Sequence, residues 1–432
     1  MIKRLNIEDW NQFKKIDINF HSKVTVLTGA NGSGKSTLIR LLSKEMGWDY
    51  TATAIPSHTS EIKSKFLSGI TLEKLVNFLE NKPKNSNPTE YKFSDDSIQI
   101  GEITLDNNVC RLYVPEETDT ASYNVYSEFE NDNSYSINGV SIASHRQPYT
   151  YTNIGYIPVK PHTKNEAHNE YLESMKKRIL PDRYYISNED RSPVYHMKAS
   201  LMSLAVFGAG NIHVSKDQDS YDLFRGFVGI LKKLLPQNIQ FQDIYIKDGE
   251  VILLTETGQF LLDAVSGGIG SIIDLAWQIY MYDNEEKEFV VLIDEIENHL
   301  HPSMQRQILP NLIDAFPNTQ FIVTTHSPFV VNSVADSWVY ALKYNEDNLI
   351  DSYKLDFESK ASNALEILRE ILGVPVTLPI WIEEKLNSVT EKYRNLELTP
   401  EKYIQLKNDL KEFGLDQHLP QAIGELQMGV KR

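Results

Sequence analysis

The 432-residue chain contains one cysteine and carries a formal net charge of −16. A single cysteine excludes a disulfide framework and a cysteine-rich zinc site, which is typical of a protein in the reducing cytoplasm. The first residues lack the apolar core of a signal peptide, and no later segment approaches ~18 consecutive apolar residues, so we expect no membrane contact. The negative charge argues against a general affinity for nucleic acid, because phosphate contacts require lysine and arginine.

The first 50 residues contain a phosphate-binding pattern. Two short alternating runs, at 2–7 and 13–20, predict an antiparallel pair of strands, and the apolar run 24–28 predicts a buried strand. The segment 29–37 then matches Gly-x4-Gly-Lys-Ser/Thr, and helical spacing resumes at 36–42. A strand, a glycine turn and a helix in this order predict a phosphate-binding loop.

This loop supplies the groups that a nucleoside triphosphate needs. Its glycines allow backbone N–H groups to close around phosphates at the positive end of the helix. Lys35 is expected to reach the β and γ phosphates, and Ser36 to offer its hydroxyl to Mg²⁺. Phe13 or Trp10 is a candidate for stacking on the base, with core packing as the alternative. The predicted nucleotide-binding residues are Asn31, Gly32, Ser33, Gly34, Lys35, Ser36 and Thr37.

The middle of the chain changes character twice. Alternating β-branched and aromatic residues from about position 50 predict a β-rich lobe, and the Asn-Gly pair at 138–139 predicts a two-residue hairpin within it. Apolar residues at helical spacing then predict helices at 170–180 and 221–235. The basic cluster 176–178 is interleaved with acidic residues, so a solvated face of mixed charge is favoured over a DNA contact.

A second helix start that suits an anion is predicted beyond residue 238. Alternation at 239–262, with a turn at 248–249, predicts a hairpin. The glycine-rich run 265–271 follows and opens a helix with one apolar face. We expect Ser266 to cap this helix, whose N-terminus is then able to hold a phosphate.

Two strand ends carry groups that suit phosphate chemistry. The apolar run 289–293 predicts a parallel strand that ends in Asp294 and Glu295. Asp294 is expected to hold Mg²⁺ through water and Glu295 to polarise the attacking water, with a helix N-cap as the alternative. The run 320–325 predicts a strand that delivers His326, which is able to hydrogen-bond a γ-phosphate.

With these pieces in this order, the chain resembles the ABC-type ATPases of the RecF, SMC and OLD branch. The correspondence places the Walker A motif at 29–37, the signature at 265–270, Walker B at 290–295, the D-loop at 297–302 and the switch histidine at 326. The signature carries valine and isoleucine where transporter ATPases usually have leucine and glutamine. Gln147 is a candidate for the glutamine of the Q-loop.

The resemblance implies an α/β fold: an ABC-ATPase head with a mixed sheet around the phosphate loop, β-rich and helical insertions and a helical C-terminal region. It implies ATP and Mg²⁺ as ligands. It also implies composite sites in a homo-oligomer, in which the phosphate loop of one subunit faces the signature of another. The implied residues are Glu295, Lys35 and His326 for catalysis, Ser36 and Asp294 for the metal, and Ser266, Gly267 and Gly268 for the signature acting in trans.

The expected organisation has five segments. They are the N-terminal part of the head at 1–50, the β-rich lobe at 51–160, a helical lobe at 161–238, the C-terminal part of the head at 239–345 and a helical oligomerisation or partner-binding tail at 346–432. The insertion lacks sustained heptads, which excludes a long coiled coil. Beyond residue 340 the sequence shows neither strand pattern of a Toprim nuclease, and it predicts helices at 362–372, 380–394 and 400–414.

A compact head of this kind resembles the ATPase subunits of bacterial anti-phage defence systems. The Septu type works with a separate HNH nuclease, and the PARIS type, our second choice, holds a separate Toprim protein. The resemblance implies a cytoplasmic ATP-hydrolysing subunit that oligomerises and regulates or scaffolds a nuclease, with an HNH type favoured over a Toprim type and DNA reached through the complex. The alternative is a RecF-like repair ATPase that binds DNA directly; a transporter subunit is the least supported.

Overall fold

The computed structural model describes most of the chain. The described residues are 1–56, 66–67, 97–118, 120–131, 136–146, 149–158, 160–180, 183–184, 190–284, 287–356, 367–368, 372, 380–393, 399–416, 419–420 and 422–423. The chain divides into two compact units, Met1–Ile367 and Leu368–Arg432. The five-segment division stays a prediction.

Strands occur along the whole of the first unit. In chain order they are β1 (Ile2–Trp10), β2 (Phe13–Asn19), β3 (Val24–Gly29), β4 (Ala52–Thr53), β5 (Ile55–Pro56), β6 (Phe66–Leu67), β7 (Ser97–Leu105), β8 (Val109–Pro115), β9 (Glu117–Thr118), β10 (Ser122–Tyr123), β11 (Tyr126–Phe129), β12 (Gly139–Ile142), β13 (Phe241–Lys247), β14 (Glu250–Thr255), β15 (Gly258–Leu261), β16 (Phe289–Ile293), β17 (Thr319–Thr325), β18 (Trp338–Tyr344) and β19 (Ile350–Lys354).

Both units contain helices. They are α1 (Lys35–Lys44), α2 (Lys164–Ile179), α3 (Pro193–Ala209), α4 (Gln218–Leu234), α5 (Gly267–Tyr282), α6 (Pro302–Gln305), α7 (Ile308–Ala315), α8 (Pro328–Val331), α9 (Ile380–Glu391) and α10 (Pro400–Glu412). No helix within the described ranges is both long and apolar enough to span a membrane.

One eleven-stranded sheet organises the first unit, in the order β11-β8-β7-β1-β2-β19-β18-β3-β17-β16-β12. The five strands from β18 to β12 run parallel to their neighbours. Every residue of β3, β16 and β17 is buried, as expected for parallel strands covered on both faces. The carboxyl ends of these strands therefore meet at one edge of the sheet, where the predicted site residues lie.

The other half of the sheet is mainly antiparallel. β1 pairs with β2 and β7, and β7 pairs with β8, all antiparallel. The predicted β-rich segment thus extends the large sheet through β7, β8 and β11. Phe13 and Trp10 are at most 1% exposed and belong to the core beneath this region. Base stacking by either ring, one of the two sequence interpretations, is wrong.

The hairpin predicted at 138–139 is also wrong. Gly139–Ile142 forms β12, which pairs in parallel with β16 at the end of the sheet. A Cβ atom at Gly139 would lie 2.4 Å from the Val290 oxygen, so the close approach of two backbones explains the glycine. The Asn-Gly pair is a local turn signal, and pairing with a strand 150 residues later overrides it.

Other local predictions are confirmed. The helices predicted at 170–180 and 221–235 lie within α2 and α4 or end one residue beyond them, and the hairpin turn at 248–249 joins β13 to β14. In the second unit, α9 and α10 pack through a small apolar cluster that includes Leu386, Leu406 and Leu410. Thr399 caps α10 by accepting from the backbone N–H of Lys402, as the sequence indicates. The helix predicted at 362–372 lies almost wholly outside the described residues.

Candidate nucleotide site

The phosphate loop has the backbone that its glycines predict. Gly29, Gly32 and Gly34 have φ values of 146°, 79° and 80°, in the region that favours glycine. Gly34 occupies the N-cap position of α1, and no side chain caps the helix. The first N–H groups of α1 are therefore directed at the loop, where a bound anion is stabilised by the helix N-terminus.

Lys35 begins α1 and folds back over the loop. Its Nζ donates hydrogen bonds to the Gly29 oxygen at 3.0 Å and the Ala30 oxygen at 2.9 Å. The side chain is 5% exposed. Burial lowers the pKa of Lys35 to about 8, although the carboxylates of Glu295, Asp294 and Glu297 favour the charged form. A polyphosphate in the loop would compete with the carbonyl oxygens for this ammonium group.

Ser36 and Asp294 lie side by side, as the sequence predicts. The Ser36 hydroxyl donates to Asp294 Oδ1 at 3.1 Å, and Thr324 Oγ1 donates to the same oxygen at 2.6 Å. Asp294 is buried and directly follows β16, whereas Thr324 lies in the neighbouring β17. A hydroxyl and a carboxylate at the mouth of a phosphate loop are the oxygen donors that Mg²⁺ prefers. These residues therefore fit a magnesium ion bound together with a triphosphate.

Glu295 sits in a constrained position directly after Asp294. Its φ is 49°, and its backbone N–H donates to Thr324 Oγ1 at 2.7 Å. The carboxylate accepts from Asn298 Nδ2 at 2.7 Å and lies 3.9 Å from His326 Nε2. A non-glycine residue in the left-handed region is uncommon and often marks a functional position. Both side chains are partly exposed, so the Glu295–His326 pair is accessible to a substrate.

His326 is held by its backbone as well as by its surroundings. Its N–H donates to Glu297 Oε1 at 2.5 Å, and Thr325 Oγ1 donates to Glu297 Oε2 at 2.7 Å. Burial, together with the nearby Lys35 ammonium group, lowers the pKa of His326. The imidazole is therefore neutral near pH 7, where it offers one donor and one acceptor. Glu297 therefore links the segment after β16 to the end of β17 through hydrogen bonds.

Sequence reasoning missed Arg146, which links two parts of the site. The residue is 5% exposed, and its Nη1 donates to Ser271 Oγ at 2.5 Å in helix α5. Its Nη2 lies 3.4 Å from the backbone oxygen of Glu295. The only signal in the sequence is an arginine four residues after an apolar strand. That contact depends on residues more than 120 positions apart.

The signature residues lie at the start of α5, with one correction to the prediction. Ser266 occupies the N-cap position, yet its hydroxyl makes no capping hydrogen bond. Ser266 and Gly267 are exposed, and Gly268 packs against the backbone of His299. Within the described residues, no hydrogen bond joins 266–268 to the phosphate loop of the same chain. The helix N-terminus is therefore open toward solvent.

The structure thus brings together Lys35, Ser36, Asp294, Glu295 and His326, and it leaves 266–268 as a separate exposed surface. Gln147, the candidate Q-loop glutamine, lies outside the described residues. Asn31 and Gly32 are exposed at the tip of the loop, where Tyr344 donates to the Gly32 oxygen at 3.2 Å. Ser33 is buried beneath them.

The family of the chain is shown by a family model that matches most of its residues. A family described as "AAA domain, putative AbiEii toxin, Type IV TA system" matches residues 24–332, and one described as "P-loop containing region of AAA domain" matches residues 2–45. The first match runs from β3 to the segment after His326 and so contains each of the site residues above. The chain belongs to this AAA-domain family.

Two curated proteins resemble this AAA-domain chain over most of their length. The Septu protein PtuA of Bacillus thuringiensis is 21% identical over 419 residues, which covers 92% of this chain and 89% of that protein. A protein named "Retron Vc95 probable ATPase", from Vibrio cholerae serotype O1 biovar El Tor, is 22% identical over 452 residues, which covers 91% of this chain and 83% of that protein.

Among solved structures, the AAA-domain chain overlaps an SMC head bound to the C-winged helix domain of ScpA. The TM-score is 0.45 at 15% sequence identity, and the overlap covers 83% of this chain and 98% of the SMC head.

Proposed function

We propose that the protein binds and hydrolyses ATP with Mg²⁺. The observation that carries this proposal is the convergence of five groups at one sheet edge: the Lys35 ammonium, the Ser36 hydroxyl, the carboxylates of Asp294 and Glu295, and the His326 imidazole. They lie after the neighbouring parallel strands β16 and β17 and at the start of α1, and catalytic constellations in open α/β sheets lie at such edges.

Each group has a task that its position supports. The N–H groups at the start of α1 and Lys35 bind the phosphates, and Ser36 with Asp294 holds Mg²⁺, which neutralises charge on the β and γ phosphates. Glu295 orients the attacking water and accepts its proton, and Asn298 fixes the carboxylate. Neutral His326 hydrogen-bonds the γ-phosphate. Rate acceleration then comes from positioning and charge stabilisation.

The open start of α5 suits a second subunit. The Ser266 hydroxyl makes no capping hydrogen bond to the start of α5, and a γ-phosphate presented by another chain would accept from this hydroxyl and from the first N–H groups of the helix. ATP bound between the phosphate loop of one subunit and 266–268 of another would hold a dimer together, and hydrolysis would release it. The segment that contains Glu297 approaches Gly268 through His299, so it would report the γ-phosphate to both halves.

The biological role that we propose is regulation of a separate nuclease in an anti-phage defence complex in the cytoplasm. The resemblance to a Septu protein and to a retron ATPase over more than 90% of the chain supports this role. We favour an HNH-type nuclease over a Toprim-type one, with DNA reached through the complex. The second unit, with its small α9–α10 helix pair, is a candidate surface for the partner or for a further copy of the chain.

Glu295→Gln tests the catalytic assignment. The amide cannot accept a proton from water, so we expect steady-state ATP hydrolysis to fall by about a hundredfold or more while ATP binding persists. The variant should accumulate as an ATP-bound oligomer in light scattering. Glu288→Gln is the matched control, because the same chemical change is made at an exposed position just before β16. Equal turnover in the two variants would refute the role of Glu295.

Copurification tests the proposed complex. The protein, expressed with its genomic neighbours, should bring down a nuclease, and Lys35→Ala should abolish protection against phage without abolishing expression. If no nuclease or toxin copurifies and protection is unchanged by Lys35→Ala, the defence role fails, whereas the ATPase assignment is judged by Glu295→Gln alone.

A RecF-like ATPase that clamps DNA directly is the second candidate. The local feature that favours this role is a cluster of three arginines in one cavity, Arg40, Arg146 and Arg178. The net charge of −16 argues against it. Direct clamping predicts ATP-strengthened DNA binding by the isolated protein, with affinity that falls steeply with salt because counterions are released. Binding that appears only with the copurified partner would favour the first role.

A further inference from the structure

A cavity of about 470 Å³ lies beside the nucleotide site, between α1, the segment after β12 and α2. Its volume falls in the range of ~300–1,000 Å³ that is typical of small-ligand pockets. Ile39, Ser141 and Met175 form a buried floor, whereas Arg40 and His145 stand on an exposed rim. Asp294 also lines the cavity, but of the described residues none from 29–37 does. The cavity is therefore a neighbour of the phosphate loop and meets it only through Asp294.

Three arginines line this cavity without a carboxylate partner. Arg40, Arg146 and Arg178 make no ion pair with any residue that the structure describes, although Lys177, one position before Arg178, pairs with Asp190 at 2.5 Å. Among the described residues, Arg178 donates only to Ser174 of its own helix. The Arg40 guanidinium lies 5.2 Å from the centre of the Tyr50 ring. The described lining thus has three positive groups and one negative group.

Of the three arginines, Arg146 gives the strongest indication of a bound anion, because it is buried. Its Nε has no hydrogen-bond partner in the described parts of the chain, and its hydrogen bonds there go to neutral oxygens, although the nearby Asp274 carboxylate favours the charged form. An arginine that is out of water and short of acceptors costs free energy, because guanidinium groups are stable when buried only if they are paired. Burial lowers the pKa of both Arg146 and Arg178, which expresses the same cost.

An anion with several oxygens would accept hydrogen bonds from these arginines and balance their charge. Guanidinium groups recognise phosphate through paired, charge-assisted hydrogen bonds, and three of them around one concavity provide more donors than a single carboxylate can satisfy. The Asp294 carboxylate in the lining would repel a ligand that filled the cavity with negative charge. A single phosphate among the arginines, attached to a neutral body, fits both conditions.

We propose that this cavity binds a small phosphate-bearing ligand, of about the size of a nucleoside monophosphate, in addition to the ATP at the phosphate loop. The ligand places its phosphate between Arg40, Arg178 and Arg146. Because Arg146 also contacts Ser271 and the Glu295 backbone, a ligand in this cavity lies one residue away from both the signature helix and the catalytic segment.

Calorimetry on the full-length chain tests the proposal, with the phosphate loop first saturated by a non-hydrolysable ATP analogue and Mg²⁺. AMP and inorganic phosphate are the probes. We expect saturable AMP binding with one site per chain, and phosphate should compete with it. Arg178→Gln and, separately, Arg40→Gln should each weaken AMP binding on the order of tenfold or more. Lys177→Gln is the matched control on the same helix and should bind AMP as the wild type does.

Several results would overturn the proposal. They are the absence of saturable binding by either probe, AMP binding that the ATP analogue blocks completely, and equal affinities for Arg178→Gln and Lys177→Gln. Tighter binding of a 5′-phosphorylated single-stranded oligonucleotide than of AMP would also overturn it, because the occupant would then be nucleic acid. Retained binding of the ATP analogue verifies that each variant is folded. The test needs no turnover, so it is independent of the proposed hydrolysis.

Discussion

The Lys35 ammonium group donates hydrogen bonds to carbonyl oxygens of the phosphate loop, in which it is proposed to bind phosphate. In the free protein its ammonium is buried against Gly29 and Ala30, and its pKa is lowered to about 8. A bound triphosphate would stabilise the charged form and raise this pKa. Binding of ATP and protonation of Lys35 are therefore linked.

This linkage predicts proton uptake. Between about pH 8 and 9, a growing fraction of Lys35 is neutral in the free protein and must gain a proton when ATP binds, so the dissociation constant for Mg²⁺-ATP should rise across this range. Calorimetry in two buffers of different ionisation enthalpy measures the uptake. Lys35→Arg keeps its charge and should show none. Absence of uptake in the wild type would mean that Lys35 stays charged in the free protein.

The same lowered pKa has a consequence for stability. The unfolded chain, with an ordinary lysine pKa of 10.5, binds more protons than the folded chain between about pH 8 and 10.5. The contribution of Lys35 to the free energy of unfolding therefore becomes more favourable as pH rises through this window. Bound ATP would remove this dependence because it restores the charged form.

Among the secondary-structure elements, the start of α1 depends on a close contact with β2. A Cβ atom at Gly34 would lie 2.4 Å from Cζ of Phe13, whereas one at Gly32 would meet nothing closer than 3.4 Å. The two glycines have nearly equal φ values, 80° and 79°. They therefore separate the effect of backbone strain from the effect of crowding.

Alanine at each glycine tests this contact. Gly32→Ala should cost about 1–2 kcal/mol through its positive φ alone. Gly34→Ala should cost about 1–3 kcal/mol more, because the new methyl group displaces the Phe13 ring. Thermal unfolding measures both, and adding Phe13→Leu to Gly34→Ala should recover part of the difference. Equal midpoints for the two single variants would contradict the steric explanation.

Local signals predicted some elements well and missed others for a physical reason. The strand, glycine turn and helix at 24–42 are encoded by neighbouring residues, so the phosphate loop could be predicted. The pairing of β12 with β16 and the Arg146 contacts join residues far apart in sequence, and no local pattern encodes them. Ser266 stands where a cap is expected, but its hydroxyl makes no capping hydrogen bond, and no local sequence pattern encodes that difference.

For the whole molecule, we propose that each active site is divided between two chains. One chain presents Lys35 and Glu295 at the sheet edge, and it presents 266–268 on an exposed helix start. A net charge of −16 opposes the approach of two such chains. ATP with Mg²⁺ would have to supply the attraction, so assembly of the two chains should depend on nucleotide. Salt should first strengthen assembly, because it screens the repulsion between the chains, until it also screens the specific contacts that hold them together.

Subunit mixing tests this division most directly. Lys35→Ala removes the loop half of a site, and Ser266→Asp removes the other half by placing a carboxylate before the γ-phosphate while keeping a good helix cap. Ser266→Asn is the neutral control and should retain turnover. Each of the first two variants alone should be inactive. Mixed in equal amounts, they should recover roughly a quarter of the wild-type rate of ATP hydrolysis, because about half of randomly paired dimers hold one intact site. No recovery on mixing, or full activity of Ser266→Asp alone, would contradict the shared site.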